Sequence, residues 1–286
     1  MGTDLLFKMV DYCDQMYLVS HCETCTGQNC NHDCKECLDD IHFHHNRIRT
    51  AYDCQRLLYY YMCRYSFKYC SEIIYALKEI NFRNYPYLSI LSLGCGGAAD
   101  LMAFDEHFAS DEYISYHGVD FNSYWDDIHA EITDLYPKAS FSTNFDVKQD
   151  MYKLRGDNYN VIIIEYLISY LYSCDLSGIR CIEKLFDDLI KYVVRNKAHD
   201  SPLLIIINDV DSINTGRDEF IRLANKLEFL GYSIKKYKRH FKKNTYYSNS
   251  ERYNSSQNLF KCSWDFQQEY CVALKCESAQ MIIEVE

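Results

Sequence analysis

The sequence predicts an α/β fold with a mostly parallel, seven-stranded sheet that ends in an antiparallel strand pair. Two observations carry this. Short β-rich apolar runs such as Asn160–Ile164 and Leu203–Ile207 alternate with amphipathic stretches such as Ile179–Arg195. Val161–Ile164 and Leu203–Ile207 are apolar at every position, the pattern of strands covered on both faces by helices. Towards the end of the chain the rhythm changes, and two strand-like segments follow each other with no clear helix between them.

The elements follow in order. Residues 1–21 read as a short helix with Leu5, Leu6, Met9 and Val10 on one side. Residues 22–45 have no sustained period and are full of Cys, His and Asp. Residues 46–80 look helical, because Leu57, Leu58, Tyr61, Tyr65, Tyr69, Ile73, Ile74 and Leu77 recur at three- and four-residue steps with no Gly or Pro between them. Asn84 and Pro86 mark a connector. The strands expected after it are Tyr87–Leu93, Tyr113–Val119, Ala139–Phe145, Asn160–Ile164, Leu203–Ile207, Tyr232–Tyr237 and Tyr270–Cys276. Helices are expected after Ala98, over Asp126–Tyr136, Ile179–Arg195 and Arg217–Leu230, the last closed by Gly231. This divides the chain into a helical, Cys/His-rich module over 1–80 and an α/β domain over 86–286.

Composition excludes some functions. Of 286 residues, 48% are apolar and 25% charged, enough for a proper core. Apolar runs such as Val161–Ile164 and Leu203–Ile207 fall far short of the roughly 20 residues of a membrane-spanning helix. The start, MGTDLLFKMVDYCD, lacks the pattern of a secretory signal. The expectation is a cytoplasmic protein without a membrane span. A formal net charge of −11 argues against coating nucleic acid by bulk charge.

The main chemical signal is Ser89-Ile90-Leu91-Ser92-Leu93-Gly94-Cys95-Gly96-Gly97, a strand running into a glycine turn before a helix. Glycine allows a sharp turn and lets backbone approach a ligand, while the next helix offers free N–H groups. The following strand ends in Gly118-Val119-Asp120, and an acidic side chain there can accept hydrogen bonds from both hydroxyls of a ribose. Together these segments resemble the first two motifs of class I S-adenosylmethionine-dependent methyltransferases, which have a Rossmann-like sheet. The resemblance covers about Pro86 to Cys276, including the antiparallel finish.

The resemblance implies that Gly94, Cys95 and Gly96 line the methionine part of the cofactor, that Asp120 binds the ribose, and that Phe121 packs on the adenine. Asp146 matches the adenine-amine partner, and Glu165 and Tyr166 lie between cofactor and substrate. Arg64 or Tyr65, on the helix before the first strand, could reach the methionine carboxylate. The chain departs from the pattern at Ser92, where the family often has an acid, and at Ala98, which replaces a third glycine. Glu165 is the first candidate for the base or orienting group and Asp209, after the fifth strand, the second. No Pro-Pro-Tyr, Pro-Pro-Phe or Pro-Cys is present. That absence points the transfer towards a hydroxyl, ring nitrogen, carboxylate or protein side chain. Gly94-x-Gly96-x-x-Ala99 also satisfies the looser nicotinamide-dinucleotide fingerprint, so an NAD-dependent oxidoreductase is an alternative. A non-catalytic, zinc-containing binding protein on a degenerate methyltransferase scaffold is another.

Cys22-x2-Cys25 and Cys34-x2-Cys37 are two thiolate pairs at a spacing that suits tetrahedral Zn²⁺, with Cys30, His32, His42 and His44 as nearby substitutes. An iron–sulfur cluster is the rival occupant. Lys235, Lys236, Lys238, Arg239, Lys242 and Lys243 crowd into nine residues with aromatic residues among them. Such a run suits RNA or another phosphate-bearing acceptor, or simply guards an edge strand. A protein partner through residues 1–50 is a further expectation.

Overall fold

The computed structural model describes residues 4–22, 33–43, 51–108, 113–173, 178–196, 202–243 and 247–286. Three helices come first: α1 (Leu5–Val19), α2 (Cys34–Phe43) and α3 (Gln55–Leu77). The α/β part follows as β1 (Leu88–Leu93), α4 (Ala99–Phe108), β2 (Ile114–Val119), α5 (Asp126–Leu135), β3 (Ala139–Ser142), β4 (Val161–Glu165), α6 (Leu167–Ser173), α7 (Gly178–Tyr192), β5 (Leu203–Val210) and α8 (Phe220–Phe229). The chain closes with β6 (Ile234–His240), β7 (Glu251–Arg252), α9 (Trp264–Tyr270) and β8 (Ser278–Val285).

The strands form one mixed sheet in the order β3-β2-β1-β4-β5-β8-β6-β7. β1 to β5 run parallel, and β8 lies antiparallel between β5 and β6. The sheet therefore has eight strands rather than seven, the addition being the two-residue β7 paired to the end of β6. The last strand also differs from expectation. Tyr270–Cys276 is the end of α9 and a loop, and the strand lies later, at Ser278–Val285. Both segments are rich in β-formers, but only Ser278–Val285 alternates so that Ile282 and Ile283 enter opposite cores.

Two cores flank the sheet. One face carries Ile90, Ile163, Leu204, Ile206 and Ile282 and packs against α1, α3, α4 and α5. The other carries Leu91, Ile162, Ile164, Ile205 and Ile207 and packs against α6, α7 and α8. α7 shows why: Ile182, Leu185, Phe186 and Leu189 form a single buried stripe at helical spacing. α3 is different, because 17 of its 23 residues are buried. It lies across the first face with α1 and α9 around it. Among the described residues no helix is long and apolar enough to cross a membrane.

The register brings the carboxyl ends of the central strands level. Leu93 pairs with Val119 and with Ile164, and Glu165 pairs with Asn208. β1 has β2 on one side and β4 on the other, so the chain order reverses there, where open α/β sheets bind ligands.

Candidate active site

The glycine turn is built where β1 ends. Gly94 and Gly96 have φ of +68° and +48°, a region that favours glycine. The N–H groups of Gly94 and Cys95 both donate to the Val119 carbonyl, at 2.8 and 3.1 Å, which ties the turn to β2. Asp120 closes the link. One carboxylate oxygen accepts from Gly96 N–H at 2.9 Å and the other from Asn122 N–H at 2.8 Å. Burial raises the Asp120 pKa, and these N–H groups offset part of that rise. His129 holds the far side of the turn. Burial lowers its pKa to about 4, so it is neutral, and its Nε2–H donates to the Gly96 carbonyl at 2.7 Å.

At the ends of β4 and β5 lies a polar belt that shares a face with α3. Asn208 Nδ2 donates to Glu165 Oε1 at 2.9 Å and to Glu72 Oε2 at 3.2 Å. Glu72, fully buried on α3, also accepts from Tyr166 Oη at 2.8 Å and from the N–H groups of Glu277 and Ser278 at 2.8 and 3.3 Å. Lys68 Nζ stands 3.9 Å from Glu72 and over the rings of Tyr69 and Tyr166. Tyr166 has φ of +52°, a strained conformation for a tyrosine, and its ring lies 4.3 Å from that of Tyr69. The Glu165 carboxyl is held well above its usual pKa, first by burial and then by the charges of Asp100 and Glu72.

Asp100, in the first turn of α4, is 1% exposed. Its Oδ1 accepts from Tyr116 Oη at 2.9 Å. The buried Ser92 hydroxyl and the Leu101 N–H neighbour the same carboxylate. Burial raises the Asp100 pKa against the neighbouring hydroxyl and N–H groups.

The sequence-based candidates thus separate. Gly94, Cys95, Gly96 and Asp120 come together at the turn, and Glu165 and Tyr166 at the belt. Asp209 faces the opposite side of the sheet from Asn208. Its Oδ2 accepts from Ser169 N–H of α6 at 3.0 Å, and burial raises its pKa to about 6. Asp146 is occupied in its own turn, accepting from Lys148 N–H and the Gln149 amide, both at 2.9 Å. Phe121 is 67% exposed. Arg64 pairs with Asp39 of α2 at 3.1 Å. Glu72, Asn208, Asp100 and Lys68 escaped the sequence analysis. A helical Glu and a strand Asn carry no motif, and only the register shows that Asn208 faces Glu165.

In the cysteine-rich segment, Cys22, Cys34 and Cys37 are buried. Burial, with the neighbouring Cys22 second, raises the Cys34 pKa and keeps it a thiol. Cys25, Cys30, His32 and His44 lie outside the described residues. Among the described residues no group of three or more His, Cys, Asp or Glu side chains is placed to hold a metal ion, so the four-cysteine zinc site is not shown. The basic run lies on β6, which ends at the same sheet edge as β5. Lys235 pairs with Glu286, Lys236 with Glu228 at 2.8 Å, and Arg239 with Glu79 at 2.8 Å and with Glu251.

No protein-family model matches the chain, and no curated protein matches it. Among solved structures it is similar to the plantazolicin methyltransferase BpumL in complex with SAH, at 14% identity over 98% of this chain and 99% of that one, TM-score 0.48. It is also similar to a SAM-dependent methyltransferase from Archaeoglobus fulgidus, at 16% identity over 76% of this chain and 94% of that one, TM-score 0.43. A third is a SAM-dependent methyltransferase from Aquifex aeolicus, at 11% identity over 79% and 96%, TM-score 0.46.

Proposed function

We propose that the chain is an S-adenosylmethionine-dependent methyltransferase. The observation that carries this is the sign of the charge at the glycine turn. Asp100, Glu72 and Asp209 each act electrostatically on Glu165, at the carboxyl end of β4. Such an edge suits a small molecule that bears a sulfonium and an ammonium. It repels the pyrophosphate of a nicotinamide dinucleotide, which like charges disfavour at close range.

The residues present fit the cofactor. Asp120 stands at the strand end where its carboxylate can accept from ribose hydroxyls. When bound, S-adenosylmethionine supplies an electrophilic methyl group. Glu165 then orients the acceptor and takes its proton on a carboxylate oxygen. Burial raises its affinity for a proton, so in its ionised form it is a stronger base than an exposed carboxylate. Tyr69 and Tyr166 wall the site, and the Glu72 bond to Tyr166 fixes that ring. Titration calorimetry tests the reading: heat with S-adenosylmethionine and none with NAD(H) is expected. Heat with NAD(H) alone indicates an oxidoreductase, and heat with neither a degenerate scaffold.

For the acceptor we propose a phosphate-bearing molecule, RNA in the first instance, approached over β6. The Lys235–Glu286 and Lys236–Glu228 pairs are exposed and screened by solvent, so phosphates compete for the same cations. Replacing Lys238, Arg239, Lys242 and Lys243 by Ser should flatten the salt dependence of RNA binding. An unaltered salt slope would move the acceptor to a protein or small molecule. Zinc remains a proposal that needs Cys25 beside Cys22, Cys34 and Cys37. Elemental analysis should find close to one zinc per chain, and iron with sulfide or no metal would reject it.

A further inference from the structure

Parallel strands are normally covered by helices on both faces and are then apolar almost throughout. The face that packs against α6, α7 and α8 departs from this at the amino ends of β1, β2 and β3. Among the described residues, the connection from β3 to β4 holds a single helical turn, Met151–Leu154, and no helix that covers these ends. Ser89 of β1 stands opposite Ser115 of β2, and His117 of β2 opposite Ser140 of β3. With Lys138 and Tyr159 these residues line a polar groove of about 560 Å³. Ser142 follows Ser140 on the same face of β3, because side chains alternate along a strand.

Four side chains are joined in a line beside this groove. Ser142 Oγ lies 3.0 Å from His117 Nε2, His117 Nδ1 lies 2.6 Å from Tyr159 Oη, and Tyr159 Oη lies 3.0 Å from Asp157 Oδ2. Counting protons fixes the direction of each bond. A carboxylate only accepts, so the one phenolic proton of Tyr159 goes to Asp157. The Tyr159 oxygen then accepts from His117 Nδ1–H. That leaves a lone pair on Nε2, to which Ser142 Oγ–H donates. Burial lowers the His117 pKa, so the ring is neutral near neutral pH, although the Asp157 charge opposes the shift. A hydroxyl bonded to a neutral imidazole that a third group orients is the arrangement that activates a nucleophile. Ser142 and His117 are half-buried, which leaves this end of the line within reach of a ligand in the groove. β3 is also the edge strand of the sheet, so alternate backbone N–H groups along it point to solvent.

We propose that Ser142 and His117 form a second catalytic site, which hydrolyses small carboxylic esters. The proposal is independent of the methyltransferase reading. Ser142 Oγ attacks the ester carbonyl carbon while its proton passes to His117 Nε2. The C–O bond to the alcohol breaks, and the departing alkoxide takes that proton from Nε2. Water then gives a proton to the same nitrogen and attacks the acyl-serine. The carboxylic acid leaves as Ser142 Oγ recovers the proton. Tyr159 and Asp157 hold the imidazole in the tautomer that both steps require. An ester is specified because an alkoxide leaves more readily than an amine. An open groove with strand-edge N–H donors stabilises an oxyanion less than an enclosed, water-free pocket does.

The full chain with para-nitrophenyl acetate as probe tests it, read as nitrophenolate release and, after acid quench, as peptide mass. Wild type should turn over and carry an acetyl group on Ser142. Ser142→Ala and His117→Ala should each lower the release about a hundredfold, with neither forming the Ser142 adduct. Ser142→Ala deletes one oxygen from a half-buried side chain, and melting curves establish that both variants are folded. Should an alanine variant unfold, Ser142→Cys serves in its place, and the acetyl group must then appear on that sulfur. Acetylation confined to lysines, equal release by wild type and Ser142→Ala, or a Ser142 adduct that persists in His117→Ala overturns the proposal. None of these results bears on S-adenosylmethionine binding, which belongs to the opposite ends of the strands.

Discussion

Asp120 ties the glycine turn to the end of β2. It is the acceptor for two backbone N–H groups, and through Gly96 it sets the shape of the turn. Asp120→Ala removes charge-assisted hydrogen bonds worth about 1.5–3 kcal/mol. The dissociation constant for S-adenosylmethionine should rise about tenfold to a hundredfold, and an unchanged constant in a folded variant would reject the ribose placement. Asp209 gives a pH prediction. Its pKa is raised from the model-compound value of 3.8 to about 6, because burial disfavours the charge. A carboxyl with a raised folded-state pKa contributes stability when protonated, fully below its unfolded pKa, and that contribution is lost as pH rises through about 6. Asp209→Asn cannot lose it. The variant's stability relative to wild type should therefore improve between pH 5 and pH 7.5, by about 1–2 kcal/mol. Denaturant melts at the two pH values measure this, and a difference that stays constant would refute it.

At the scale of elements, the turn between β1 and α4 carries a strained residue. Ala98 has φ of +56° where the turn enters the helix, and its N–H donates to the Cys95 carbonyl at 2.7 Å. A left-handed conformation costs a residue with a β-carbon about 1–2 kcal/mol. Glycine also has more freedom to lose on folding, which cancels part of the gain. Ala98→Gly should thus raise stability by about 0.5–1 kcal/mol, seen as a higher Tm. A lower Tm would mean that the methyl group packs more usefully than the strain costs. α3 tells the opposite story. No Gly or Pro interrupts it, and its tyrosines serve as core and as wall. Tyr65 and Tyr69 stack at 5.3 Å, while Tyr60 meets Tyr17 of α1 and Tyr270 of α9.

For the whole molecule, the first face of the sheet has one continuous core. It includes Leu5, Met9 and Leu58 as well as Ile90, Leu101 and Ile163. Residues 86–286 without α1 and α3 would expose that face. Each large apolar side chain uncovered costs about 1.5–3 kcal/mol, and a domain's whole stability is only about 5–15 kcal/mol. The full chain should melt in one cooperative transition, and a 86–286 fragment should show none. A fragment that melts cooperatively would make the α/β part a separate folding unit.

Local pattern was enough to determine the α/β class, most strand positions and the long helix, because burial periodicity is written in consecutive residues. Gly94-x-Gly96 and Asp120 were legible for the same reason: a turn needs its glycines and a strand end its acid in fixed order. Several features were decided only by tertiary structure. The strand Ser278–Val285 reads no more β-like than Tyr270–Cys276, and pairing between β5 and β6 selects it. Asn208 and Asp209 are adjacent in sequence, yet the strand sends one to Glu165 and the other to the N-terminus of α6. Which of the two meets the site depends on parity within β5 and on its register with β4. Glu72 reaches the same belt from more than 90 residues away, held by β8 backbone and by Tyr166. Such convergence leaves no local trace, because it arises from the packing of α3 onto the sheet and not from any spacing along the chain.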